Sequence, residues 1–229
     1  MNLQRTERRK PLEMKPLLWG RLSVVLLLVF IAGVISVIEP QFISLSNILD
    51  VITVACLYLL ISFGETLVIA AGGVDLSVGQ IAGFSALVTS LLMTSVRLPV
   101  WASLILGLIA GGALGAVNGI GVVYLGINSF VMTLSMMYVI VGVKYWITGG
   151  MSIMYLPKSF VHIGRGQLGG IPFPVLILLM GFIICWIFLN RLRVGRYIYL
   201  TGSGLTASFI SGLPVKRATL IAFILSGVL

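Results

Sequence analysis

The sequence predicts an all-α polytopic membrane protein, a helical bundle with six complete transmembrane helices and the start of a seventh. Of its 229 residues, 59% are hydrophobic and 9% are charged, and the mean hydropathy is +1.16, an apolar excess that no water-soluble core of this size needs. The apolar stretches also exceed the roughly 20 residues that cross a bilayer as a helix. They are too long and continuous for barrel strands, which alternate over about 10 residues.

The chain opens on MNLQRTERRKPLEMKPLLWGR, a basic, polar arm longer than a signal-peptide n-region, with no A-x-A site after it. Residues 1–18 therefore read as an arm ahead of a retained first helix, and 19–229 as one transmembrane domain. Apolar spans follow at about 19–38, 48–71, 79–96, 100–125, 129–148 and 172–190, and a last one begins near 218. Roughly 12 residues remain after Arg217 where about 20 are needed, so the protein is expected to be longer than this sequence. No low-complexity tract or convincing internal repeat is visible.

Charge sets the orientation. With a cytoplasmic N-terminus, the inside segments hold Arg5, Arg8, Arg9, Lys10, Lys15, Arg21, Arg191, Arg193, Arg196, Lys216 and Arg217, eleven of the fifteen basic residues. Arg97, Lys158 and Arg165 fall outside, and Lys144, near the outer end of a span, is expected to snorkel. Shifting the count by one span destroys this imbalance, which the positive-inside rule requires. The formal charge of +9 is thus assigned to cytoplasmic loops and not to nucleic acid.

Between the second and third spans lies AAGGVDLSVGQ, residues 70–80. An acid within hydrocarbon costs about 2.5 to 3.5 kcal/mol, so Asp75 should face a cavity, a partner or the membrane boundary. Gly72 and Gly73 let the backbone leave the helix, and Asp75 or Ser77 can cap the one that restarts, near the cytoplasmic boundary. Glu65, in GETLVIAAGG, should face the bundle interior, as a transport-path or gating group or a structural hydrogen-bonding one. Asn118 and Asn128 read as amides that satisfy backbone or line a path. In the fourth span Gly107, Gly111, Gly115 and Gly119 recur every four residues, a small-residue face for close helix packing.

Catalytic and metal chemistry find no support. Cys56 and Cys185 both lie in apolar stretches and read as small core residues. GRGQLG at 164–169 matches G-x-G-x-x-G, yet no strand precedes it, and a polar turn is the better reading. No phosphate-binding loop or H-E-x-x-H is present, and the single histidine, His162, falls in a predicted external loop. The segment 190–217, NRLRVGRYIYLTGSGLTASFISGLPVKR, carries more. Gly202, Ser203 and Gly204 can open a short helix, LTASFIS, that Gly212 and Pro214 close. Leu205, Phe209 and Ile210 exposed there would form an apolar patch of the kind that marks a partner surface.

Three stretches together resemble the ribose-type ABC importer permeases: GETLVIAAGGVDLSVGQIAG at 64–83, the run from Asn118 to Gly150, and VGRYIYLTGS with SGLPVKR between 194 and 217. The resemblance implies a bacterial inner-membrane permease that works as a dimer with a second copy or paralogue. Its other partners would be a cytoplasmic ATP-binding subunit and a periplasmic or lipid-anchored substrate-binding protein, besides membrane lipid. It implies no cofactor on this chain, with ATP and magnesium in the partner ATPase, and a sugar or similar solute moved by alternating access. The helix at 204–212 would be the ATPase-docking element, formed by Leu205, Thr206, Phe209, Ile210, Ser211 and Gly212. Relatives commonly carry an amide and acids where this chain has Gly204, Leu205 and Thr206. The competing reading is an ion-coupled secondary transporter using Glu65 and Asp75.

Single cysteines placed at Ser203 and at Gln167 are expected to react with an impermeant maleimide from opposite faces of the membrane; labelling from one face would overturn the topology.

Overall fold

A computed structural model describes residues 14–229, with side chains from Leu22 onward, so most of the basic arm lies outside the described residues. The chain divides into two compact units, residues 1–51 and 52–229. In the first, α1 (Met14–Ile38) is followed by a 3-10 helix at Pro40–Ile43 and the first turns of α2 (Leu45–Ala70). Asn47 ties this corner by donating from Nδ2 to the Phe42 carbonyl at 2.7 Å. The side chains of α1 from Val24 to Phe30 are apolar and exposed, as a lipid-facing helix requires.

The second unit continues from α2 through α3 (Val78–Thr94), α4 (Val100–Val123) and α5 (Ser129–Thr148). Then come α6 (Lys158–Arg165), the antiparallel pair β1 (Gln167–Leu168) and β2 (Ile171–Pro172), and α7 (Phe173–Arg191). It ends with α8 (Arg193–Ser203), α9 (Leu205–Ile210) and α10 (Val215–Val228). Among the described residues α2, α4, α5 and α7 are long and apolar enough to cross a membrane, with residues 22–38 and α3 as shorter apolar helices. Asn128 caps α5, its Oδ1 accepting from the Phe130 N–H at 2.9 Å, and Gly149 ends it in the left-handed region.

Two elements depart from the sequence reading. The polar turn at 164–169 is the end of α6 and a tight hairpin, turned by Gly169 and Gly170, both at positive φ. The segment after α7 holds two helices instead of one. Gly195 and Gly202 look like breaks in α8 but serve close approach: a Cβ at Gly195 would strike the Phe188 carbonyl oxygen, and one at Gly202 the Ala70 carbonyl oxygen.

The core is built where α4 packs on α3 and α10. A Cβ at Gly107 would overlap Thr89 Oγ1, at Gly111 the Gly227 carbonyl oxygen, and at Gly115 the Phe223 carbonyl oxygen. At Gly119 it would lie 2.8 Å from Leu220 Cδ1. Lipid tails are as apolar as leucine, so this backbone-to-backbone contact supplies dispersion that bulky side chains would prevent. A second cluster, Leu67, Ala71, Leu189, Ile198, Ala218 and Ala222, joins the ends of α2 and α7 to α8 and α10. Cys56 and Cys185 are free and buried. Lys144 does not snorkel outward; its Nζ donates to Gln80 Oε1 on α3.

Gly115→Ala is expected to cost about 1–3 kcal/mol of stability, because the added methyl has no room against the α10 backbone. Gly142→Ala, at a position with open space around it, should stay near wild type. Thermal unfolding of the two variants in detergent reads the difference, and equal melting temperatures would refute the packing argument.

Candidate functional site

Residues 71–77 do not run straight on from α2 into α3. Glu65 sits about 7 Å back from the end of α2 at 1.5 Å rise per residue, yet its Oε1 accepts from the Asp75 N–H at 3.2 Å. The chain has therefore doubled back beside its own helix. Gly72, at φ +85°, makes the reversal, and Gly202 of α8 packs against it.

Such a turn exposes backbone donors that a helix would have paired, and here every one from 71 to 77 is satisfied. Ala71 donates to the Leu67 carbonyl, Gly72 to that of Ile69 and Gly73 to that of Val68, all at 2.9–3.1 Å. Next, the Val74 N–H reaches Ser129 Oγ at 3.3 Å, and the Leu76 N–H reaches Thr133 Oγ1 at 3.1 Å. Ser77 donates to Asp75 Oδ1 twice, from its N–H at 2.9 Å and from its hydroxyl at 2.6 Å. Side chains of α2 and α5 thus stand in for the missing helical carbonyls.

Four sequence-predicted residues, Glu65, Asp75, Ser77 and Asn118, meet at this turn. Asn118 on α4 donates from Nδ2 to Ser77 Oγ at 2.7 Å, and Ser226 on α10 approaches Asp75 Oδ2 at 3.5 Å. Asp75, 2% exposed, lies inside the bundle and not at a solvated boundary. The N-cap of α3 is Ser77, but no side-chain bond caps the helix, because its hydroxyl is committed to Asp75 and Asn118. Glu65 Oε2 and Asn118 Oδ1 are buried without a hydrogen-bond partner, so two acceptors of the cluster are unused by the protein itself. Ser129, Thr133 and Ser226 were missed from sequence. Hydroxyls in apolar helices usually bond the carbonyl four residues back, as Thr133 also does to Ser129 at 2.8 Å, and so carry no distinguishing signal.

The second feature is the predicted docking segment. Leu205, Phe209 and Ile210 on α9 are 59%, 74% and 80% exposed, and Thr206 is exposed beside them. Ser211 forms the C-cap, and Gly212, at φ +72°, turns the chain toward α10. Ser208 faces inward and anchors the helix through its hydroxyl to the Leu200 carbonyl at 2.6 Å. Behind α9 a cavity of about 730 Å³ is lined by Leu205, Phe209, Arg217, Val123, Ala71 and Gly72 among others. One wall of that cavity is α9 and another is the doubled-back turn.

Buried irregular backbone between apolar helices, beside a surface helix with exposed apolar side chains, is the architecture of a multi-pass membrane protein. Residues 47–229 match the family described as branched-chain amino acid transport system, permease component, and the chain belongs to that family. It is 34% identical over 213 residues to the D-allose transport system permease protein AlsC of Escherichia coli (strain K12), covering 93% of this chain and 65% of that one. To the L-arabinose ABC transporter permease protein AraH of Azospirillum brasilense it is 31% identical over 212 residues, 91% of this chain and 61% of the relative. To the ribose import permease protein RbsC of Bacillus subtilis (strain 168) it is 36% identical over 199 residues, 86% and 61%. The chain therefore spans a little under two thirds of the length of these curated relatives. No solved structure matches it.

Asp75→Ala should destabilise the protein by about 1–3 kcal/mol, since it leaves the Ser77 N–H buried without an acceptor. Asp75→Asn keeps an oxygen at that position and should cost less than half as much. Melting temperatures in detergent test this, and an equal loss in both variants would show that charge, and not the acceptor, matters.

Proposed function

We propose that this chain is the permease subunit of an ATP-binding-cassette importer, which moves a monosaccharide or similar small polar solute across the bacterial cell membrane by alternating access. The observation that carries the reading is α9, a short helix that leaves Leu205, Phe209 and Ile210 exposed, with Lys216 and Arg217 lining the cavity behind it. An ion-coupled carrier has no need of such an element, and a partner that hydrolyses ATP does. Relatives whose names specify allose, arabinose and ribose support the solute class.

In this mechanism the N-terminus and α9 face the cytoplasm. ATP binding draws two partner ATPases together, and each carries its docked α9 with it. Motion of α9 changes the cavity it shares with Ala71 and Gly72, and so reaches the turn that holds Asp75. Glu65, Asp75, Ser77 and Asn118 would gate or line the path, offering the two unused acceptors to solute hydroxyls or water. The chain forms no covalent bond with the solute. A second permease copy completes the path, and a substrate-binding protein delivers the solute from the other side.

Phe209→Ala should reduce affinity for the ATP-binding subunit by about thirtyfold, the effect of roughly 2 kcal/mol for a buried aromatic anchor, while the permease still reaches the membrane. Pull-down and solute-stimulated ATP hydrolysis read it. Unchanged association in both Phe209→Ala and Leu205→Asp would remove α9 as the docking site.

A further inference from the structure

The Lys158–Arg165 helix places its cations on one face. At 100° per residue Lys158, His162 and Arg165 fall within about 60° of one another, and Phe160 and Ile163 lie on the opposite side. The three basic side chains, with Val161 and Gly166, line a shallow bay of about 270 Å³. The position of this helix is fixed at the mouth of a membrane span. The Phe173 N–H, first in α7, donates to the Gly166 carbonyl at 2.9 Å, and the His162 ring meets the Phe173 ring edge-on at 5.3 Å. Exposed Trp146 and Tyr155 precede it, the residue types that settle at the headgroup level.

Nothing within this unit neutralises that face. Residues 52–229 contain two acids, Glu65 and Asp75, and both sit at the doubled-back turn. That turn packs on Gly202 of α8, at the far end of α7, about 28 Å from α6 for a 19-residue helix. With Glu65 about 7 Å back from the end of α2, roughly 20 Å of helix length still separates the bay from these carboxylates.

We propose that the Lys158–His162–Arg165 face binds the phosphate of an anionic phospholipid in the leaflet opposite the 191–217 segment, with Phe160 and Ile163 seated among the acyl chains below. Two fixed charges and an imidazole around a bay of this size suit a phosphodiester, and the amphipathic helix holds them at the depth where headgroups lie. The site would fix the rim of α7 against the bilayer. It does not depend on the transport reading.

The test uses the full chain in phosphatidylcholine nanodiscs, with a fluorophore on a cysteine placed at Ser159. Cys56 and Cys185, both buried, should stay unlabelled. Brominated phosphatidylglycerol added as a minor component is expected to quench this label well beyond brominated phosphatidylcholine at equal amounts. In K158Q/R165Q the apparent affinity for phosphatidylglycerol should fall about thirtyfold, about fivefold for each cation, and K158R should retain it. A label at Ser203, across the membrane, should respond unchanged and reports correct folding. Should the double variant fail to incorporate, R165Q alone should show the fivefold loss. Equal quenching by the two lipids in the wild type, or an excess that survives in a folded K158Q/R165Q or R165Q protein, would overturn the proposal. Loss of the excess on adding millimolar inorganic phosphate at constant ionic strength would assign the bay to a free anion and overturn it too.

Discussion

Backbone that leaves a helix inside a membrane must find hydrogen bonds within the protein, and that constraint organises this structure. Each peptide group left bare in hydrocarbon costs several kcal/mol. A single formed bond in such surroundings contributes far less, about 0.6 kcal/mol on average. The asymmetry explains why the 71–77 turn is surrounded by so many side-chain acceptors: Ser129, Glu65, Thr133 and Asp75 add little each, but together they remove penalties that would forbid the turn. The turn is held because its alternatives are costly, not because its bonds are strong.

The glycines follow from the same constraint. Asp75 can be enclosed only if α10 comes close enough to place Ser226 near it, and that approach requires the α4 backbone to touch the α10 backbone at Gly111 and Gly115. Small residues on α4, chosen for packing, thereby set the polar environment of an acid on the neighbouring connection. Gly202 does the equivalent on the other side, letting α8 lie on Gly72. Packing and polar satisfaction cannot be separated in this bundle, because each helix position determines which donor meets which acceptor.

Much of this was legible in the sequence, and the exceptions have physical causes. Asp75, Glu65 and Asn118 stood out because charged and amide side chains are rare in apolar spans, so their rarity pointed to one another. The spans themselves followed from length and hydropathy, and α5 fell on the residues expected, 129–148. Serine and threonine gave no such signal, since they are tolerated anywhere on a membrane helix by bonding its own carbonyls. The depth of Asp75 was misread because a capping residue and a buried one have the same local sequence. What separates them is whether hydroxyls on α5 and α10 arrive at the same place, which is a long-range fact. Helix α8 was not foreseen: Gly202 read as part of the opening of the next helix, and the backbones that Gly195 and Gly202 touch are long-range facts.

In the proposed transport mechanism, the cavity behind α9 connects these local arguments. A packed interface responds to displacement by switching between arrangements, whereas an open space of about 730 Å³ lets one wall move before the other is disturbed. Here the movable wall is a six-residue helix anchored by Ser208 to α8, and α8 in turn is pressed through Gly202 onto the Gly72 reversal. Force applied to α9 has two routes to Asp75, a soft one across the cavity and a stiff one through α8. The stiff route has no slack, since a single Cβ at Gly202 would already collide with the backbone of Ala70. A partner that pulls on α9 would therefore act first on the α8 contact with the turn, and the cavity would accommodate the resulting rotation without breaking the bundle core formed by α4 and α10.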